Sequence, residues 1–150
     1  MNSALEINND NQYRWVTGGK NIKDMIIQID GRVERSSSDG DFGVICRYQD
    51  DNNLYMFEVT QDSYYAIYKL FRGDWYPLID FTLSDMLINL KDAQFKAACI
   101  GDTLSFAVNG KILGEVSDQS FKSGDFGFFA GTYEISGNIV SFDNLIVSQP

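Results

Sequence analysis

The chain of 150 residues contains no histidine, two prolines and two cysteines. Each scarcity excludes something. Without an imidazole, a serine or cysteine triad has no base, and zinc would have to be held by carboxylates or thiols alone. With so few prolines, long extended runs go unbroken. Two cysteines make no disulfide framework. Cys46 and Cys99 each lie inside an apolar, strand-like pattern, where free thiols act as small hydrophobes. They read as buried, reduced thiols, with a mutual disulfide as the alternative; a reactive thiol lacks a histidine to activate it. Positive charge is scarce too, with 12 Lys and Arg against 21 Asp and Glu and a net charge of −9. An acidic surface without a basic cluster repels phosphate backbones and anionic lipid, so no nucleic acid partner is expected. Solubility alone is the simpler meaning of that charge. No run of about 20 apolar residues occurs, so no membrane insertion is expected. The opening Met1-Asn2-Ser3-Ala4-Leu5-Glu6 has neither the basic nor the apolar region of a signal peptide.

What is present points to sheet. Eleven Phe, eight Tyr and two Trp are residues that suit a pleated, half-buried surface. Period-two runs recur about every ten residues. They predict strands at Tyr13–Thr17, Met25–Glu34, Asp41–Gln49, Leu54–Thr60, Tyr64–Arg72, Trp75–Phe81, Gln94–Gly101, Thr103–Asn109, Lys111–Ser117, Asp125–Thr132 and Asn138–Ser148. The intervening turns have fitting chemistry, above all Asn109-Gly110, which suits a type I′ turn with φ > 0 at both central positions. Ser84 followed by Asp85-Met86-Leu87 predicts one capped helical turn, and a second short turn is expected near Asp118–Lys122. The tetrapeptide Gly-Asp-Phe-Gly, at 40–43 and again at 124–127, marks entries from loop to strand.

Register can be argued for the central hairpin. If Gln49 pairs with Leu54, then Val44, Cys46, Tyr48, Tyr55, Phe57 and Val59 share a core face. The opposite, mixed face then carries Ile45, Arg47, Met56 and Glu58. Extending the alternation places Tyr64, Ala66, Tyr68 and Leu70 inward and adds Tyr65, Ile67 and Lys69 to the mixed face.

The run from Gly43 to Phe57, with its Asp50-Asp51-Asn52-Asn53 turn, resembles a motif of bacterial concanavalin A-like domains, the laminin-G-like and 3-keto-disaccharide-hydrolase-like group. Further matches follow in order: Tyr64–Lys69, Gly73-Asp74-Trp75, Gly101–Gly110, Ser123–Thr132 and Ser141-Phe142-Asp143-Asn144-Leu145. The resemblance implies an all-β fold, a two-sheet antiparallel jelly-roll β-sandwich of the concanavalin A-like type, over residues 12–150. Residues 1–11 are then an N-terminal lead-in, of the kind an excised domain acquires at an added Met1. Such domains are mostly extracytoplasmic or cell-surface pieces of larger bacterial chains, which sets the expected localisation. The superfamily hosts lectins, glucanases and adhesion domains alike, so function has to be argued from the site.

Glycoside hydrolysis needs two carboxylates about 5–9.5 Å apart. The Glu-x-Asp-x-x-Glu strand of glucanases in this superfamily has no counterpart, since no Glu-x-Asp occurs anywhere. The expected function is therefore not enzymatic but that of a carbohydrate-binding, lectin-like module. The alternative is a protein-interaction or structural domain, and the expected partner is a glycan or a protein of the cell envelope. The mixed face supplies the candidate ligand-binding residues Arg47, Glu58, Tyr65 and Lys69, which combine charged groups for hydroxyls with a ring for a C–H face; a solvated salt bridge between Arg47 and Glu58 is the simpler reading. No cofactor is required. Calcium is a weaker expectation, from Asp39 and Asp41 and from Asp50 and Asp51, which supply hard oxygen ligands that Asx turns would explain as well. Arg72-Gly73-Asp74 is a chance spelling on a hairpin tip, and Trp75 beside it reads as a core residue at the sandwich edge sooner than as a ligand platform.

Overall fold

The structure, a computed structural model, describes residues 2–7, 12–35, 40–88, 91–132 and 138–150. They form two six-stranded antiparallel sheets packed as a jelly-roll β-sandwich. The first sheet runs, edge to edge, through β1 (Asn2–Ile7), β12 (Asn138–Ser148), β3 (Met25–Arg35), β8 (Asp92–Ile100), β9 (Thr103–Val108) and β10 (Lys111–Ser117). The second runs through β2 (Gln12–Thr17), β11 (Asp125–Thr132), β4 (Asp41–Asp50), β5 (Asn53–Thr60), β6 (Tyr64–Phe71) and β7 (Asp74–Leu83). Strands β2 to β12 lie where the period-two pattern predicts them, to within two residues. Strand β1 is an addition, because the expected lead-in pairs with β12 from Asn2↔Asp143 to Ile7↔Asn138. Its partner lies at the far end of the sequence, so no local pattern reveals it. Among the described residues, no helix is long and apolar enough to cross a membrane.

Alternation explains the main core. Strand β8 buries Ala93, Phe95, Ala97 and Cys99 and exposes the residues between them, as one face of a half-buried strand should. Across the sandwich they meet Phe42, Val44 and Cys46 of β4 and Tyr55, Phe57 and Val59 of β5. Edge-to-face rings such as Phe42 with Phe95, 5.2 Å apart, and Phe57 with Phe106, 5.7 Å apart, fill the gap. Cys46 and Cys99 face one another there with Cα atoms 6.8 Å apart and form a disulfide. They are buried as expected but not reduced. Alternation puts Cys46 on the core face, and the apolar pattern expects Cys99 to be buried; only the packing of one sheet over the other shows that the two are opposite.

The turns follow their chemistry. Asn109 and Gly110 take φ of 51° and 81°, the left-handed pair that a type I′ hairpin requires. Ser84 caps the single 3-10 turn Asp85–Leu87, its Oγ accepting from the Met86 N–H. At 118–122 no helical turn forms; Asp118 instead makes an Asx turn, with Oδ1 accepting from the Ser120 N–H at 2.9 Å.

Two irregularities decide which residues reach the outward face of the second sheet. The β4–β5 ladder starts at Asp50↔Asn53, as predicted, but shifts by two residues before Cys46↔Tyr55. The slack is a bulge at Arg47, whose φ of 52° is left-handed. An even shift preserves the predicted faces of Val44, Cys46, Tyr55, Phe57 and Val59 but expels Tyr48 to the other side. Between β5 and β6, a three-residue loop, Gln61-Asp62-Ser63, with Ser63 at φ 76°, sets Val59 opposite Tyr65 and Glu58 opposite Ala66. Opposed residues share a face. Tyr65, Ile67 and Lys69 therefore turn towards the first sheet, and Tyr64, Ala66, Tyr68 and Leu70 turn away from it, the reverse of the expectation.

Candidate functional site

The four residues expected to share one face are separated. Arg47 is 1% exposed and sits at an end of the sandwich. Its guanidinium donates to the carbonyls of Lys23 (3.0 Å), Gly101 (2.8 Å), Phe121 (3.0 Å) and Cys99 (3.3 Å), and to Asp24 Oδ1 (3.3 Å). With its fork donors so engaged, it ties loops together and offers no surface to a ligand. Tyr65 packs among the inter-sheet hydrophobics, against Gly114, where an added Cβ would lie 3.1 Å from the Tyr65 ring. Lys69 donates to Asp118 Oδ2 at 3.0 Å and to Ser120 Oγ at 2.8 Å. Tyr55 O–H also donates to Asp118, at 2.8 Å. Burial pushes the Asp118 carboxyl up, but the bonds from Ser120, Tyr55 and Lys69 outweigh it and hold the group below the usual carboxylate range. Burial also drives the Tyr55 phenol well above its usual value.

Glu58 alone stays on the outward face of the second sheet, where it is 2% exposed. Small residues flank it. Its Cα partners are Gly43 on β4 and Ala66 on β6, so the neighbouring strands raise nothing larger than a methyl beside it. At Gly43 a Cβ would lie 1.9 Å from the Phe57 carbonyl oxygen, so the close backbone approach admits glycine only. Around this low floor stand four rings. Tyr13 comes from β2, Tyr68 from β6, and Trp75 and Phe81 from β7, and with Glu58 they line a hollow of about 230 Å³. Tyr13 lies over Gly131, where an added Cβ would come within 2.5 Å of its ring. Strands β2 and β7 are opposite edges of the sheet, yet the Tyr13 and Trp75 rings approach to 5.9 Å. The two edge side chains therefore meet above the face, and Ile45, Leu54, Met56, Leu70 and Phe129 form a second, smaller core beneath.

The rings are walls, not a flat platform. Planes meet at 39° between Tyr13 and Trp75, 71° between Tyr68 and Trp75, and 43° between Tyr68 and Phe81. Trp75 and Phe81 keep 39% and 37% of their surface exposed, which leaves the hollow reachable from solvent. Tyr68 is held by donating to Asp80 Oδ1 at 2.8 Å. Burial, that bond, and the charges of Asp80 and Glu58 all raise its phenol far above the usual value. Beside the hollow, Asp51 Oδ1 accepts from Trp15 Nε1 at 3.2 Å and from Tyr48 O–H at 2.5 Å. Mainly through that hydrogen bond, the Tyr48 phenol is pushed up to about 12.

The acidic clusters are otherwise placed. Asp41 belongs to strand β4, on the same face as Glu58, and is sealed from solvent. Asp39 lies outside the described residues. Asp50 Oδ1 accepts from the Asn52 N–H (2.8 Å) and Asn53 Nδ2 (2.9 Å), and Asp51 holds the two rings just named. Among the described residues, no group of three or more metal-ligating side chains is gathered. Of the ring walls, the sequence reading gives Trp75 and Tyr68 to the core and leaves Tyr13 and Phe81 in strands without a face. The alternation of Tyr13 and Trp15 was a signal for one face, but which face depends on pairing with β11, over a hundred residues away.

No protein-family model matches the chain, and no curated protein matches it in sequence. Solved structures do. The carbohydrate binding module CBM66 from Bacillus subtilis is similar over 98% of this chain and 94% of its own, with a TM-score of 0.76 at 14% identity. Sheep galectin-11, in complex with glycerol, is similar over 93% and 98%, with a TM-score of 0.64 at 11% identity. The GH43 protein BlXynB from Bacillus licheniformis matches 83% of this chain with 27% of its own, at a TM-score of 0.62 and 12% identity. At such identities the likeness is one of fold, a β-sandwich of the lectin-like kind.

Proposed function

We propose that this chain is a non-catalytic carbohydrate-binding module whose site is the aromatic hollow over Glu58. The observation that carries this reading is the meeting of four rings around a carboxylate on one sheet face. Ring faces take the C–H patches of a sugar, and a carboxylate accepts from its hydroxyls through charge-assisted hydrogen bonds. The angled walls and modest volume fit one sugar unit held end-on better than a long chain laid across a platform. Neighbours of the same fold that are named as a carbohydrate binding module and as galectins lend support. Hydrolysis is disfavoured because the hollow is lined by a single carboxylate; Asp41 is sealed and does not line it. A disulfide across the core suits an oxidising, extracytoplasmic setting, in keeping with a piece of a surface or secreted protein.

A glycan array with soluble-sugar competition tests the reading. Binding that Trp75→Ala abolishes, without release of reducing sugar, is the expected result. Binding indifferent to Trp75→Ala, or turnover lost on Glu58→Gln, would overturn it.

A further inference from the structure

A sugar held end-on brings a substituent into the hollow ahead of its ring, so the lining decides which substituent is preferred. That lining is almost all carbon. Among the described residues around the hollow, none is a serine, threonine, asparagine, glutamine, lysine or arginine. Phe81 has no polar atom, the O–H of Tyr68 is given to Asp80 Oδ1 at 2.8 Å, and Glu58 on the floor is 2% exposed. What a ligand touches is therefore mainly the rings of Tyr13, Tyr68, Trp75 and Phe81. A hydroxyl taken out of water against them finds few partners, which is costly. A methyl needs none and gains by leaving water.

The spacing of the rings points the same way. A group sandwiched between two ring faces needs them about 7–8 Å apart, in van der Waals contact with each. The centroids stand 5.5 Å apart for Tyr68 and Phe81, 5.9 Å for Tyr13 and Trp75, and 6.4 Å for Tyr68 and Trp75. No sugar ring stacks between any of these pairs. Their planes are tilted by 39° to 71°, so each pair opens as a wedge that admits a small projecting group from its open side. A carboxylate is disfavoured in that place by the negative faces of the rings and by a chain of net charge −9.

Resting on the glycan reading above, we infer that the hollow selects a terminal 6-deoxyhexose, its methyl seated among Tyr13, Tyr68, Trp75 and Phe81 and most of its hydroxyls left at the rim. A volume of about 230 Å³ admits that methyl with the adjoining edge of one sugar ring and little more. The parent hexose carries a hydroxymethyl at the same position, and its extra hydroxyl has to be stripped of water against ring carbon.

The test is binding of the intact protein to matched methyl glycosides: the α-L-fucoside against the α-L-galactoside, the α-L-rhamnoside against the α-L-mannoside, and the β-N-acetylglucosaminide, whose methyl is on an amide. One 6-deoxyhexoside is expected to bind about tenfold to a hundredfold more tightly than its parent, the range open to an apolar pocket facing one added hydroxyl. In ligand-observed NMR its methyl should take the strongest saturation from the protein and shift upfield over the ring faces. The preference should be the same at low and physiological salt, since no net charge is involved. Phe81→Ala should weaken the 6-deoxyhexoside more than the parent hexoside. If a parent hexoside binds as tightly as its 6-deoxy partner, and Trp75→Ala abolishes binding, the inference fails while the glycan site stands. If the N-acetylglucosaminide binds more tightly than either 6-deoxyhexoside, the hollow takes an amide methyl and the inference is overturned. If no glycoside binds, both readings fail. The comparison on the unmodified protein decides the matter even if Phe81→Ala does not fold.

Discussion

Arg47 and Glu58 are charged side chains of the central hairpin, eleven positions apart and both almost without exposure. A pairing of the two across the sheet would have been the plainest use of them. The fold sends them to different places instead. Arg47 is bulged out of its ladder to an end of the sandwich, where carbonyls from loops distant in sequence receive it. Glu58 keeps its place in the ladder and lies at the bottom of a hollow walled by rings. A buried charge whose donors are taken up by four backbone carbonyls and one carboxylate of the protein itself is a fastening. A buried carboxylate beneath exposed rings is where the proposed glycan would bind. The first should therefore be felt in stability and the second in recognition, and the account stands or falls on that division.

The largest expected effect belongs to the fastening. Arg47→Ala leaves several buried carbonyls and Asp24 without their donor, and should cost about 3–5 kcal/mol in urea unfolding. A loss below about 1 kcal/mol would show that the end of the sandwich does not depend on it. Next is the disulfide. It closes a loop with a sequence separation of 53, so Cys46→Ala with Cys99→Ala should cost about 2–4 kcal/mol, measured against the oxidised protein. An unchanged midpoint on reduction would mean that the bond contributes nothing to the sandwich. On the recognition side, Trp75→Ala should weaken glycan binding by about 1–3 kcal/mol, as loss of an aromatic anchor does, and change stability by less than about 1 kcal/mol. The reverse pattern would make the rings a core and not a site.

The smallest effect is one of pH. The phenols of Tyr48, Tyr55 and Tyr68 all titrate higher in the fold than their ordinary 10.0, Tyr48 at about 12. A group whose pKa is raised by folding gives its full stabilisation below its unfolded value and loses it as pH climbs through the folded one. Stability should therefore hold up to about pH 10 and decline above it, with ultraviolet titration of tyrosinate lagging behind that of free tyrosine. Ionisation of Tyr48, Tyr55 and Tyr68 themselves at about pH 10 in the folded protein, followed residue by residue, would contradict the hydrogen bonds to Asp51, Asp118 and Asp80.

The division was only half legible in the sequence. Strand positions, the type I′ turn at Asn109-Gly110 and the core faces of Val44, Cys46, Tyr55, Phe57 and Val59 followed from alternation and turn chemistry. These are local signals, and they survive because an even register shift leaves faces unchanged. What failed depended on single residues. The bulge at Arg47 removed one expected ligand residue, and the left-handed Ser63 in a three-residue loop turned Tyr65 and Lys69 to the other face. Neither position carries the glycine or asparagine that usually announces such a backbone. The walls of the hollow were hidden for a different reason. Tyr13 and Trp75 are on opposite edges of the sheet and meet only because the face closes over. Glu58 remained because the bulge at Arg47 lies on β4 and the left-handed Ser63 lies beyond the end of β5, so neither disturbs the alternation within Asn53–Thr60.

The most direct measurement is a map of chemical-shift changes on adding a bound glycan. The surface offers a rival location, a larger polar groove of about 520 Å³ on the first sheet, lined among others by Asp30, Arg32, Glu34, Asp92 and Asn144. The account predicts shifts in the ring resonances of Tyr13, Tyr68 and Phe81 and at the Trp75 indole N–H, with Arg47 and the polar groove undisturbed. Shifts confined to Asp30, Arg32, Asp92 and Asn144, with the four rings silent, would contradict it.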